Sequence, residues 1–212
     1  MFPLGTALLP GAGLPMQVFE PRYRQMVRDI LAVDGPPEFG QVLITHGHEA
    51  GGGDTRADVG TLARMADVRA VDGGRYTFVA VGLERIRVLE WLPDDPYPLA
   101  RIQPWPDQQS GEQPDGTPDA PPEQRLAASI ERVERALDLA GRLAGTEPAE
   151  RAASIVDPVD GPSIVSFRLA AIAPIGPADR YRVLSGPGPV ERLDALDAAL
   201  DDAEAMLKFR LS

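Results

Sequence analysis

His46, His48 and Glu49 are the one group in this 212-residue sequence that combines imidazoles with a carboxylate at close spacing. Such a set can hold a zinc ion and leave a position open for water, as in a metal-dependent hydrolase. The spacing differs from that of known helical zinc hydrolase motifs, and a run of three glycines follows. We therefore expect a solvated loop over residues 46–58 and no metal site, and a hydrolase is the weakest of three functional hypotheses.

A second group of chemically capable residues consists of Phe19, Glu20, Arg22 and Tyr23, with Arg85 farther along the chain. Aromatic rings and a forked guanidinium suit the binding of a peptide. The same residue types also serve packing, because Arg22 can pair with a nearby carboxylate and Tyr23 can turn its ring inward. We favour the structural role for Glu20, Arg22 and Tyr23, and we expect Arg85 to support a bend between strands. All five residues are the candidate peptide-binding residues.

Other reactive groups are scarce. The chain has no cysteine, which excludes disulfides, thiolate metal sites and thiol nucleophiles. No glycine-rich loop ends in Lys-Ser or Lys-Thr to cradle a phosphate, and the only lysine, Lys208, lies on a predicted helix where a salt bridge is expected. Acidic pairs such as Asp94-Asp95 and Asp201-Asp202 lack calcium-loop spacing and are expected to aid solubility. We expect no catalytic residues, no cofactor and no enzymatic activity.

The charge and hydropathy of the chain restrict its partners. The formal net charge is −11 and the sequence pI is about 4.6, so the surface should repel a phosphate backbone. No apolar run is long enough to cross a bilayer, and no basic leader opens the chain. We expect a cytoplasmic protein that binds neither nucleic acid nor membrane.

The period of the apolar residues changes along the chain and divides it into three parts. Residues 1–106 show short apolar runs between turns, typical of strands, with one helix starting at Glu20-Pro21 and a hairpin at Asp72-Gly73-Gly74. Residues 107–122 are polar and predict a flexible linker. Residues 123–212 show helical periodicity and predict an all-α subdomain.

The predicted elements have the following limits. Strands are expected at 14–18, 39–45, 60–70, 76–81, 85–91 and 99–103. The first helix carries an apolar stripe of Tyr23, Met26, Val27, Ile30 and Leu31 and ends at Gly35-Pro36-Pro37. A long helix follows the linker, with a stripe of Leu126, Ile130, Val133, Leu137, Ala140 and Ala144, and further helices are expected at 162–173, 177–184 and 189–209.

Five sequence motifs occur in a fixed order along the chain: Phe2-Pro3-Leu4 through Leu8-Leu9-Pro10, Val18-Phe19-Glu20-Pro21-Arg22-Tyr23, Asp72-Gly73-Gly74-Arg75-Tyr76, Val81 through Val88 and Tyr97-Pro98-Leu99-Ala100-Arg101. In this order they resemble the N-terminal, substrate-binding domain family of Lon-type ATP-dependent proteases. The resemblance covers residues 2–103 closely and 123–212 more loosely. Relatives carry a few residues before the Phe-Pro-Leu motif, which leaves two alternatives open: a shortened first strand, or a native start upstream of Met1.

The resemblance implies an α+β fold: a small, twisted, barrel-like (PUA-like) β subdomain followed by a helical bundle. It also implies the capture of unfolded or exposed polypeptide segments. Because the sequence has no phosphate-binding loop and no Ser-Lys dyad, we expect a stand-alone bacterial type without ATPase or protease domains, which acts as an adaptor, holding factor or regulator. Its partners would be unfolded clients and an ATP-dependent protease. The acidic surface should prefer clients with basic flanks. The alternative is a module for a specific protein or small molecule, favoured if Trp91, Tyr97 or Trp105 line a pocket.

Overall fold

The computed structural model describes residues 1–47, 55–108, 122–146, 151–154 and 160–212. Two compact units emerge, Met1–Pro106 and Asp107–Ser212. Most of the predicted linker, residues 109–121, lies outside the described residues, and so does 48–54 of the predicted loop. Within the described residues, no helix is long and apolar enough to cross a membrane.

Six strands form one mixed sheet in the first unit. They are β1 (Phe2–Leu4), β2 (Gly13–Val18), β3 (Glu38–His46), β4 (Thr55–Val71), β5 (Arg75–Leu92) and β6 (Leu99–Pro104). Their order is β1-β3-β4-β5-β2, with β6 also paired to β5; β1 and β3 run parallel and every other pair is antiparallel. The predicted α+β class is confirmed. The sheet is open, however, and does not close into the barrel-like form that we predicted.

Strand β5 is one long strand where the sequence predicted two, at 76–81 and 85–91. The two predicted segments leave a break over residues 82–84, where the structure has only a local irregularity in the pairing with β4. A Cβ atom on Gly82 would lie 2.3 Å from the carbonyl oxygen of Leu9, and the Gly82 amide donates to the oxygen of Ala12. Glycine is therefore needed here because another stretch of backbone passes close to it.

Helix α1 (Pro21–Ala32) packs its inward face on the sheet. Pro21 suits its first turn because the missing N–H would have no partner there. Tyr23, Met26 and Val27 are buried in a core with aromatic and aliphatic residues of the strands. Leu31 is exposed, although the predicted stripe included it, and the helix ends three residues before Gly35. The stripe is thus narrower than predicted.

Four α-helices are described in the second unit. They are α2 (Pro122–Ala144), α3 (Pro162–Ile172), α4 (Pro177–Leu184) and α5 (Pro189–Leu211). Each begins at a proline, whose fixed φ and missing N–H fit a first helical turn and nowhere deeper. This is why their starts could be predicted closely from the sequence.

Helices α2 and α5 run parallel, joined by polar contacts along one side. Arg125 pairs with Asp194, the Ser129 hydroxyl donates to Asp197 at 3.2 Å, and Arg132 pairs with Asp197 and with Asp201. Burial raises the pKa of the Asp197 carboxyl, against the opposing effect of Arg132.

The buried face of α2 is rotated from the predicted stripe. Ser129 and Ala136 are buried with Leu126 and Val133, while Ala144 is exposed. Ser129 is buried because its hydroxyl contacts Asp197 of α5, and the pattern of apolar residues does not show this contact.

Candidate functional site

The turn from β2 into α1 presents an exposed aromatic ring. Val18, the last residue of β2, is buried and pairs with Tyr76 of β5. Side chains alternate along a strand, so the next residue, Phe19, points away from the core, and 66% of it is exposed. Glu20 then takes an extended conformation, and its carbonyl accepts the first helical hydrogen bond, from the amide of Arg24 at 2.9 Å.

The side chains around Phe19 are held by one another. Arg22 Nε donates to Glu20 Oε2 at 3.1 Å, and the Arg22 guanidinium lies 4.6 Å from the centre of the Tyr23 ring. The Tyr23 ring is buried and stacks on Phe2, with 4.1 Å between the ring centres. The geometry therefore gives Tyr23 a packing position and makes Arg22 and Glu20 a fixed, half-buried pair beside the exposed ring.

The β4–β5 hairpin lies at the same end of the sheet. Tyr76 pairs with both Val18 and Ala70, which brings the hairpin tip next to Phe19. Arg24 of α1 donates from Nη1 to the carbonyl of Gly73 at 2.7 Å, so helix and hairpin are tied together. Nε of Arg24 is buried and has no hydrogen-bond partner within the described part of the chain.

These residues form what we call the hairpin-end surface, comprising Phe19, Glu20, Arg22, Arg24, Arg69, Val71, Asp72 and Arg75. Two exposed apolar side chains, Phe19 and Val71, lie among four arginines and two carboxylates. The surface is locally basic although the whole chain is acidic. An apolar patch ringed by charge is suited to binding an exposed segment of another polypeptide.

Arg85 does not belong to this surface. It lies nine residues beyond Tyr76 on β5, which corresponds to roughly 30 Å along an extended strand. Its side chain is buried, and its guanidinium lies 4.3 Å from the centre of the Trp105 ring. The Trp105 amide donates to the Arg85 carbonyl at 2.9 Å, so Arg85 takes part in holding the end of β6.

Two of the three candidate metal ligands lie outside the described residues. His46 is the exposed last residue of β3, while His48 and Glu49 are not among the described residues. Among those that are described, no three His, Cys, Asp or Glu side chains are grouped so as to hold a metal ion. The expected absence of a metal site at these three residues therefore stays a prediction.

The three aromatic residues considered for a small-molecule pocket are each engaged by a neighbour. The Trp91 ring lies 4.6 Å from the guanidinium of Arg56. The Tyr97 hydroxyl donates to Asp29 at 3.0 Å; its pKa is raised by burial and further by this carboxylate. Trp91 and Trp105 occupy opposite ends of the β5–β6 ladder, roughly 20 Å apart along the strand, so they do not line one pocket together.

Arg192 of α5 is the centre of a buried polar cluster that we did not predict from the sequence, although Glu191-Arg192-Leu193 resembles a stretch in the last long helix of the Lon-type family. Its side chain has no exposed surface, and Nη1 and Nη2 donate to the two carboxylate oxygens of Asp107 at 2.6 and 2.8 Å. Nε donates to Ser166 Oγ at 3.0 Å, and the guanidinium lies 4.1 Å from the centre of the Phe167 ring. The sequence does contain a sign of this burial. Arg192 lies four residues before Leu196 and therefore on the apolar face of the helix. Its role is structural.

Comparison with known proteins gives a consistent result. The family model for the ATP-dependent protease La (LON) substrate-binding domain matches residues 1–201. A crystal structure of a Lon N-terminal domain protein from Xanthomonas campestris is 26% identical, with a TM-score of 0.62, covering 93% of this chain and 95% of that one. The N-terminal domain of Mycobacterium avium complex Lon protease is 15% identical, with a TM-score of 0.64, covering 94% and 95%, and shares the fold.

Proposed function

Because this chain belongs to the ATP-dependent protease La (Lon) substrate-binding domain family, we propose that it binds exposed or unfolded segments of client polypeptides. The family membership predicted from the sequence motifs is thereby confirmed. In this family the domain has a non-catalytic, substrate-binding role linked to Lon proteolysis. Acting as an adaptor, holding factor or regulator for an ATP-dependent protease is the finer part of our proposal.

The exposed ring of Phe19 is the observation that best supports client binding at the hairpin-end surface. A ring that is 66% exposed leaves on the order of 100 Å² of apolar surface for a partner to cover. The two chain neighbours of Phe19 are fixed by backbone hydrogen bonds, Val18 in β2 and Glu20 at the start of α1. The backbone of Phe19 therefore loses little conformational freedom on binding. The fixed Glu20–Arg22 pair adds polar groups at its border.

Local charge changes the expected preference for clients. At physiological salt, charges beyond about 8 Å are largely screened, so nearby arginines outweigh the net charge of the whole chain. The hairpin-end surface holds four arginines against two carboxylates. Clients with acidic flanks should therefore bind there more tightly than clients with basic flanks, the reverse of the expectation from composition.

The test is a fluorescence-anisotropy titration of a labelled unfolded polypeptide with the wild-type chain, Phe19→Ser and Phe209→Ser. Phe209, in the last turn of α5, is 82% exposed, so it is a control with the same residue type and similar exposure. A client that covers about half of the exposed Phe19 ring loses that apolar contact in Phe19→Ser. This loss should cost about 1 to 2 kcal/mol of binding free energy, which weakens binding about five- to thirty-fold.

The outcomes separate the surface from the function. Weaker binding by Phe19→Ser alone supports the proposal as stated. Weaker binding by Phe209→Ser alone would move client binding to the helical unit. The absence of saturable binding by the wild-type chain would refute client capture by this chain.

A further inference from the structure

The outer edge of β6 is a second surface of the first unit with the properties of a binding site. We propose that an extended, proline-poor segment of a client adds to the sheet there as a further strand. This inference rests on the proposed function, since it specifies the form in which a client is held. Strand addition uses backbone hydrogen bonds, which depend little on client sequence.

Three strands of the described sheet, β1, β2 and β6, have a neighbour on one side only. They differ in how well their free edge can accept a new strand. β1 has three residues, all buried, and contains Pro3. β2 has Pro15 in its middle. Proline cannot donate a backbone hydrogen bond and is a common means of blocking an edge. β6 has no proline before Pro104, and four of its six residues are exposed.

The hydrogen-bond phase of β6 shows which of its backbone groups face outward. The Trp105 amide donates to the Arg85 carbonyl, so the groups of Trp105 face β5. In an antiparallel ladder this direction alternates along the strand. Gln103 and Arg101 therefore also face β5, whereas the N–H and carbonyl groups of Ile102 and Ala100 point to the outer edge.

The side chains along this edge indicate what kind of segment fits. Ile102 pairs with Val88, and its side chain is exposed. Leu89, which follows Val88 at the irregularity in the β5–β6 pairing, is 58% exposed. Arg101, whose side chain alternates to the other face, is largely exposed and pairs with Glu90 at 3.2 Å. An added strand would thus place apolar residues beside Ile102 and polar residues beside Arg101. The fitting client segment alternates apolar and polar residues.

The decisive test uses labelled peptides in which valine alternates with threonine, titrated into the full chain. One peptide series carries N-methyl groups on the valines and the other carries them on the threonines. Only one of these two phases faces β6, so one series should lose more than about tenfold in affinity while the other stays close to the unmethylated peptide. Equal effects of both series, or no effect of either, would overturn strand addition.

A protein variant tests the same edge from the other side. Ile102→Pro removes one outward N–H and no ladder bond to β5, whereas the control Ile102→Ala keeps the N–H and shortens the side chain. Binding should fall more than about tenfold for Ile102→Pro and by much less for Ile102→Ala. If the proline variant does not fold, the peptide series still decides the question.

The outcome for β6 can be told apart from the outcome for the proposed function. Binding of an unfolded polypeptide that is insensitive to the phase of N-methylation would overturn the β6 inference and leave client binding intact. Failure of the wild-type chain to bind any unfolded polypeptide would overturn both.

Discussion

Replacing Asp107 with alanine tests how strongly the buried arginine of the helical unit depends on its partner. Both oxygens of Asp107 accept hydrogen bonds from Arg192, whose side chain is wholly buried. Without this carboxylate the guanidinium would keep neutral acceptors, the Ser166 hydroxyl at 3.0 Å and the Ser163 carbonyl at 3.2 Å. A buried charge without a counter-charge is strongly unfavourable.

The magnitude follows from the burial of each partner. Removing one member of a buried ion pair costs about 3 to 5 kcal/mol. The Asp107 side chain is 26% exposed, so water can replace part of what is lost. We expect Asp107→Ala to lower the free energy of unfolding by about 2 to 4 kcal/mol. Arg192→Met should cost less, roughly 1 to 2 kcal/mol, because the remaining carboxylate can be hydrated.

Asp179→Ala provides a matched control. Its carboxylate is 27% exposed, nearly the same as Asp107, but its partner Arg182 is 65% exposed and lies 3.0 Å away. A surface pair of this kind contributes up to about 1 kcal/mol.

Urea unfolding, followed by circular dichroism at 222 nm at fixed salt, measures these differences. Equal losses for Asp107→Ala and Asp179→Ala would refute the reasoning. So would a double variant of Asp107 and Arg192 whose loss is the sum of the single losses.

Three further predictions concern the first unit. Gly82→Ala places a Cβ 2.3 Å from the Leu9 oxygen and should lower the free energy of unfolding by several kcal/mol in thermal or urea unfolding. The control Gly13→Ala, whose Cβ has its nearest atom at 3.4 Å, should cost about 0.5 kcal/mol. Equal costs would contradict the close approach of the Leu9 backbone to Gly82. The buried amine of a chain starting at Met1 donates to the Pro98 carbonyl, and its pKa is lowered to about 6. Since the unfolded chain holds this proton up to about pH 8, stability should rise between pH 6 and 8 by at most about 2 to 3 kcal/mol; an Nα-acetylated chain should lack this rise in urea unfolding. Acid-flanked peptides should bind the hairpin-end surface more tightly than base-flanked ones, with the difference shrinking in 0.5 M salt in an anisotropy titration; the opposite order would assign control to the net charge.

Features that depend on local chemistry could be predicted from the sequence. Prolines place the starts of α1 and of the helices in the second unit, and Asp72-Gly73-Gly74 places the hairpin because Gly73 and Gly74 have positive φ. The proximity of Phe19, Glu20 and Arg22 is likewise local. These predictions need no knowledge of which distant segments meet.

Features that depend on distant segments could not be predicted. Gly82 appeared to end a strand, but the backbone near Leu9 is what requires it. Arg85 appeared to belong with Phe19, and the strand register separates them. The rotation of the buried face of α2 follows from Ser129 meeting Asp197, 68 positions away in the chain. Periodicity records which residues are apolar and not what lies opposite them.

The measurement that most directly tests the central claim is the anisotropy titration of an unfolded polypeptide with the wild-type chain, with a folded protein as competitor. We expect saturable binding that the folded competitor does not displace. Phe19→Ser should weaken this binding about five- to thirty-fold, while Phe209→Ser should leave it within about twofold. Absence of saturable binding, or equal displacement by the folded competitor, would contradict the claim that this chain binds clients through exposed or unfolded segments.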